Sequence, residues 1–199
     1  DILPPAQPVV FPAEAALLPD GTAKLAPDGT AKRRGKVEFR NVSFKYHQSD
    51  SGDHVLTNVS FTAQPGQVIG LVGGTGTGKT TLVHLIPRLY DVSEGCVLVD
   101  GVDVRDYKLE ELREKIGVVL QKNTLFSGTI RENLLWGKPD ASGAELIAAC
   151  QDAQAHDFIQ SFPDGYDTQL GQGGVNLSGG QKQRLCIARA MLKSPGILI

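Results

Sequence analysis

Apolar and polar positions alternate from residue 37 onward: Val37, Phe39, Val42 and Phe44 share one side with polar residues between them, which predicts a strand. A polar, glycine-containing loop over 47–54 leads to a second alternating run, 56–63, and Pro65-Gly66 turns the chain into an apolar strand containing Val68, Ile69, Leu71 and Val72. The period then becomes helical, with Leu82, Leu85, Ile86 and Leu89 on one face. Residues 96–99 read as a short strand, Asp100-Gly101 as a turn and 108–115 as a short charged helix, before a fully apolar strand over 116–120 that ends at Gln121. Helical spacing returns over 129–136 and over 142–154, where Ser142 and Glu145 form a capping box. Ser178 and Gln181 repeat that arrangement ahead of a helix over 182–192, Pro195 and Gly196 end it, and 197–199 begin a buried strand. Strands alternating with helices predict an α/β fold with a mostly parallel sheet covered on both faces. Ligands bind such sheets at the carboxyl ends of strands, and Gln121 occupies one such end.

Residues 1–36 differ in kind. Six prolines, at 4, 5, 8, 12, 19 and 27, are mixed with alanines, and a near-repeat, PDGTAKLA followed by PDGTAKRR, closes the segment. Such a composition resists helix and sheet and reads as a linker. Its basic exit, Lys32, Arg33, Arg34 and Lys36, is a solvated charge cluster or a contact with an anionic membrane surface.

At 199 residues the chain has room for about one domain with a substantial core. A formal net charge of -2 gives no basic field of the kind that marks a nucleic-acid binder. Cys96, Cys150 and Cys186 are far apart and sit among apolar neighbours, which points to buried reduced thiols rather than a disulfide framework or a zinc site. No run approaches the roughly 18 apolar residues of a membrane-spanning helix, and no signal segment opens the chain. It begins with Asp1 rather than Met, which points to a piece of something longer.

One stretch states its chemistry directly. Gly73, Gly74, Thr75, Gly76, Thr77, Gly78, Lys79, Thr80 and Thr81 satisfy the G-x-x-x-x-G-K-[ST] phosphate-binding pattern, between an apolar strand and a helix as the motif requires. Glycines let the backbone wrap closely around a polyphosphate, so that successive N–H groups face the negative oxygens. Lys79 would reach the β and γ phosphates, and the Thr80 hydroxyl would hold Mg²⁺. A turn that merely connects strand to helix needs neither the lysine nor the hydroxyl. Tyr46, just past the first strand, is either a platform for a nucleotide base or a half-buried strand-end tyrosine. A second candidate phosphate site lies at Leu177-Ser178-Gly179-Gly180-Gln181, where two glycines permit close backbone approach at a helix N-terminus.

With both motifs in view, the chain from about residue 37 resembles the nucleotide-binding domain of ATP-binding cassette (ABC) transporters, whose signature is LSGGQ. The resemblance implies a P-loop NTPase core with a mixed, mostly parallel sheet and an antiparallel β subdomain. It also implies a helical subdomain, about residues 122–190, that carries the signature. It implies ATP and Mg²⁺ as cofactors, Tyr46 stacking on adenine, and Gln121 touching Mg²⁺ and the attacking water. Ser178, Gly179, Gly180 and Gln181 would close over ATP held by the loop of a second nucleotide-binding domain, identical or not, in a head-to-tail dimer. The run QKNTLFSGTIRENLLWG is similar to the exporter branch, in which the region of Leu125 and Phe126 receives a transmembrane domain. That domain would be encoded upstream in the same chain, with these residues at the cytoplasmic face of a membrane.

Two departures stand out. Gln172 and Gly173 stand where exporters often carry an acidic then basic pair. Residues 197–199 resemble the start of the strand that finishes in the Mg²⁺-supporting aspartate and then the catalytic carboxylate, and neither is among the 199 residues. His47, His54, His84 and His156 all precede the signature, so none matches the family's switch histidine. The expectation is therefore an exporter's ATPase part, with the 199 residues alone binding nucleotide weakly and hydrolysing almost none. The alternatives are a regulatory half that holds ATP without hydrolysing it, or a soluble relative acting on DNA or ribosomes.

Overall fold

The computed structural model describes residues 9–11, 35–46 and 54–199. Most of the expected loop over 47–54, and Lys32, Arg33 and Arg34, lie outside them. The chain divides into two compact units, residues 1–113 and 114–199.

In the first unit the elements follow in the order β1 (Val9–Phe11), β2 (Val37–Phe44), β3 (Leu56–Ala63), β4 (Val68–Gly70), α1 (Lys79–Leu85), β5 (Glu94–Val99), β6 (Val102–Asp103) and α2 (Leu109–Glu114), whose last residue crosses into the second unit. Four of the strands form an antiparallel sheet in the order β3-β2-β5-β6. The strand β1 pairs antiparallel with β4, although the proline content of residues 1–36 predicts no sheet there. Its three residues, Val-Val-Phe, are β-formers with no proline among them.

Simple alternation puts Val37 and Phe39 on one face of β2 but would turn Val42 and Phe44 to the other. All four are buried, Val42 completely. The pairing with β3 resolves the conflict, because Phe39 faces Phe61 and Val42 faces Val59, three steps on one strand against two on the other. Asn41, at φ 49°, takes up the extra residue as a bulge and resets the parity. Phe39 stacks on Phe61 with centroids 4.7 Å apart. The bulge dictates its neighbour on the other side: a Cβ on Gly95, itself at φ +77°, would lie 2.3 Å from the carbonyl oxygens of Arg40 and Asn41.

The helix α1 is shorter than its apolar spacing predicts. It ends at Leu85, and Leu89 is half exposed outside it. Pro87 is the cause: it has no N–H with which to continue the helix, even though Ile86 before it keeps helical backbone at φ -64° and ψ -52°. The turn that follows is secured by Arg88, whose Nε donates to Asp91 Oδ1 at 2.7 Å and whose Nη1 donates to the Arg105 carbonyl.

The second unit contains β7 (Ile116–Gly117), β8 (Gly128–Thr129), α3 (Ile130–Leu135), α4 (Gly143–Asp152), α5 (His156–Gln160), β9 (Gln169–Leu170), α6 (Gly179–Leu192) and β10 (Ile197–Leu198). The pair β7 and β10 is parallel, and the other described pairs in both units are antiparallel. The strand expected over 116–120 pairs regularly only through Gly117, with one further bond from Val119 N–H to the Ile199 carbonyl, and Leu120 is exposed. Helices α3, α4 and α6 converge on a core that includes Ile130, Leu134, Leu146, Cys150, Ile159 and Leu185. Each of these helices begins with a complete capping box, Thr129 with Glu132, Ser142 with Glu145 and Ser178 with Gln181. Such a cap contributes about 1 kcal/mol. Inside this core the Tyr166 hydroxyl lies 2.9 Å from His156 Nδ1, and burial pushes its phenol well above the usual range. Cys150 and Cys186 are buried and Cys96 is half-buried, all as free thiols. Among the described residues no helix is long and apolar enough to cross a membrane.

Two outcomes follow from this packing. Gly95→Ala should destabilise the first unit by about 3 kcal/mol or more, combining backbone strain with a clash against fixed carbonyls, and thermal unfolding measures it. Glu145 accepts bonds from the Lys138 ammonium and from the N–H and hydroxyl of Ser142, and together these lower its pKa from 4.5 to about 2. A depressed carboxylate stabilises the fold above its unfolded pKa and loses that contribution as pH falls through its folded pKa. The difference in thermal midpoint between the wild type and Glu145→Gln should therefore be full at neutral pH and shrink between pH 4.5 and about 2.

Candidate functional site

The phosphate-loop pattern forms an exposed turn between β4 and α1. Gly76 and Gly78 both adopt φ +81°, a conformation that side chains with a Cβ rarely take. At Gly78 the constraint is double, since a Cβ would also stand 2.9 Å from Leu56 Cδ2 and 3.1 Å from the Val55 carbonyl. The Lys79 ammonium folds back over the loop and donates to the carbonyls of Gly73 at 2.7 Å and Gly74 at 2.5 Å, with Thr77 Oγ1 at 3.4 Å. The Thr77 hydroxyl in turn donates to the Gly74 carbonyl at 2.9 Å. A cation is thus gathered at the centre of the loop, at the start of a helix, where an anion would be met by charge and by N–H groups. Thr75 and Thr80 are exposed, whereas Thr81 is buried.

The same unit brings Tyr46 to the loop. Its hydroxyl lies 2.9 Å from Thr81 Oγ1, and its ring meets Phe44 and Tyr90 edge to face, at 4.8 and 5.2 Å between centroids. Tyr46 is half-buried and Tyr90 is 42% exposed, so an aromatic surface stands beside the phosphate loop. Tyr90 went unnoticed in the sequence because it follows a helix end rather than a motif.

The remaining candidates belong to the second unit. Ser178 and Gln181 are engaged with each other: Gln181 N–H donates to Ser178 Oγ at 3.2 Å, and Ser178 N–H donates to Gln181 Oε1 at 2.9 Å. Gly179 and Gly180 are exposed, and a Cβ at either would meet nothing within 4 Å. Gln121 is exposed at a bend past β7. The segment after it is fixed by groups that no motif announced. Buried Asn133 accepts from Phe126 N–H and donates to the carbonyls of Phe126 and Thr129, while the Arg189 guanidinium donates to the Thr124 carbonyl at 3.0 Å. Arg189 therefore ties the signature helix α6 to the chain just beyond Gln121. Beside this segment Phe126 and the largely exposed Trp136 stack at 4.7 Å. Among the described residues no three His, Cys, Asp or Glu side chains are grouped to hold a metal. The exposed Thr80 hydroxyl of the first unit is a neutral hard oxygen, and so, separately, is the exposed Gln121 amide oxygen of the second. Each is the kind of donor that suits a Mg²⁺ keeping most of its waters.

A glycine-rich loop closed by a lysine, an aromatic surface beside it, and a separate helix opening on LSGGQ together define a nucleotide-binding domain of the cassette type. The ABC transporter family profile matches residues 56–199, and the chain belongs to that family. It is 54% identical over 166 residues to "Putative multidrug export ATP-binding/permease protein YgaD" of Bacillus subtilis (strain 168). A protein of Staphylococcus aureus (strain NCTC 8325 / PS 47) with the same description is 46% identical over 167 residues. These alignments cover 83% and 84% of this chain, which spans 28% of the length of each relative. Among solved structures, a bacterial Atm1-family ABC exporter with ATP bound matches with a TM-score of 0.77 at 39% identity, over 90% of this chain and 32% of that one. The α/β fold expected from the sequence is thereby borne out.

Gly78→Ala should remove nucleotide binding and lower thermal stability together, because the added Cβ strains the left-handed backbone and collides with Leu56 and the Val55 carbonyl. Gly74→Ala, whose Cβ would meet only Thr77 Cγ2 at 3.8 Å, should leave stability nearly unchanged. Calorimetric melting of the two variants checks the contrast.

Proposed function

We propose that this chain is the ATP-binding and ATP-hydrolysing part of a transporter that exports a substrate across a membrane, working at its cytoplasmic face as a head-to-tail pair. The observation that carries this reading is a pair of glycines to which the described residues give no structural task. Gly179 and Gly180 occupy exposed positions in the first turn of α6, and among the described residues neither is needed for packing or for a left-handed turn. Bare backbone at a helix start suits close approach by something outside the chain. A nucleotide held on a partner's phosphate loop has the right charge.

In that arrangement Lys79 exchanges its loop carbonyls for phosphate oxygens, Tyr46 meets the base, the Thr80 hydroxyl would be an oxygen donor to Mg²⁺, and Ser178, Gly179, Gly180 and Gln181 of the partner domain cover the opposite side. Mg²⁺, when bound, neutralises charge on the transferring phosphoryl group, and the chain's own contribution is positioning. The Phe126–Trp136 stack on the second unit is a fitting seat for the transmembrane part, consistent with the export role in the relatives' names. The second nucleotide-binding domain and the transmembrane domain, the latter in the same longer chain, are the partners this reading requires.

Titration with a fluorescent ATP analogue tests the binding half of the proposal. Lys79→Ala should weaken binding about 10- to 100-fold, the scale of charge-assisted bonds to phosphate, and unchanged affinity would remove Lys79 from its role. Sedimentation with MgATP tests the pairing. Gly180→Phe should abolish ATP-dependent dimers in the full-length transporter's nucleotide-binding part, and dimers that persist would overturn the head-to-tail arrangement.

A further inference from the structure

We propose that Tyr46 is a positioning residue for the phosphate end of the site as well as a platform for the base, acting through the hydroxyl of Thr81. The proposal rests on the reading of residues 73–81 as the nucleotide's phosphate loop. Three observations carry it. First, α1 is the helix that carries Lys79 and Thr80, yet its N-cap is Gly78, with no side-chain cap bond. The three helices of the second unit that open on hydroxyl residues are all closed by capping boxes. The first turn of α1 therefore lacks the local bond that holds the others. Second, Thr81 in that turn is 6% exposed, and its hydroxyl lies 2.9 Å from that of Tyr46, a residue 35 positions away at the end of β2. A helical threonine has two accessible rotamers, and a fixed partner selects one. Third, that partner is fixed, because the Tyr46 ring is set nearly perpendicular to both Phe44 and Tyr90, at 86° and 90°. Phe44 is in turn buried in the sheet core. The link thus runs from a rigid strand, through one phenol, to the turn that aims Lys79 and the loop amides. It restrains a turn that no side-chain cap holds.

A platform and a pin make different demands on the same side chain. Stacking on a base needs only the ring, so Phe would serve as well as Tyr. Pinning Thr81 needs the hydroxyl, and its effect reaches a ligand that has no base. The experiment is calorimetric titration of the 199-residue chain with MgATP and, separately, with inorganic tripolyphosphate. The proteins are the wild type, Tyr46→Phe, Thr81→Val, Thr81→Ser and the Tyr46→Phe/Thr81→Val double variant. Tyr46→Phe should weaken both ligands about three- to tenfold, the scale of one hydrogen bond. Thr81→Val should match it, the double variant should lose no more than either single one, and Thr81→Ser, which keeps the hydroxyl, should bind more tightly than Thr81→Val. Wild-type affinity of Tyr46→Phe for both ligands, a loss confined to MgATP, or losses that add in full in the double variant would each overturn the pin and leave the phosphate-loop reading standing. A wild-type chain that binds neither ligand would overturn both.

Discussion

Hydrophobic burial along β2 continues past a change of strand parity only because one extra residue is taken up at Asn41, and much of the first unit depends on that accommodation. Without the bulge, Phe44 would leave the core face and the tyrosine two residues later would no longer be braced by it. With it, the sheet closes around Phe39 and Val42, Gly95 slides under the bulged carbonyls, and the end of β2 presents Tyr46 to the start of α1. Strand packing and ligand geometry are therefore the same problem here. The position of a candidate base platform is set by how valines and phenylalanines are counted along a strand.

The second unit solves its own version through helix ends. Its helices are short, and isolated helices of such length are marginal in water. Reciprocal caps on α3, α4 and α6, the apolar core beneath them, and single polar bonds such as Asn133 to the backbone of residues 126 and 129 hold them in register. The loop after Gln121 is thereby attached to the same helix that opens on the signature, through Arg189 and the Thr124 carbonyl.

Much of this was legible in the sequence where a residue type has one dominant physical use. The lysine and glycines of residues 73–81 and the Ser178–Gln181 cap are local patterns, and the structure forms them locally. The misjudged places are those where a distant or neighbouring group decides. Leu89 continues a helical period that Pro87 has already stopped. Thr129 and Glu132 make a cap that the sequence contains as plainly as the others, but it is easily passed over because a strand residue supplies the hydroxyl. Tyr90, Asn133 and Arg189 carry no pattern of their own, since their partners lie on other elements and only the fold brings them together. The strand at Val9–Phe11 shows the reverse error, where composition averaged over 36 residues hid three good strand formers.

The lysine lying across its own loop has a further implication for energetics. Because Lys79 donates to the carbonyls of Gly73 and Gly74, the loop is held by its own hydrogen bonds while the ammonium's charge is not neutralised by those carbonyls. In the role proposed for Lys79, arrival of a polyanion would be an exchange reaction in which two backbone acceptors are handed to water as the ammonium turns outward. The measured affinity would be the difference between two well-solvated arrangements, not the sum of the contacts in one. Much of the heat of binding would come from how water receives those carbonyls.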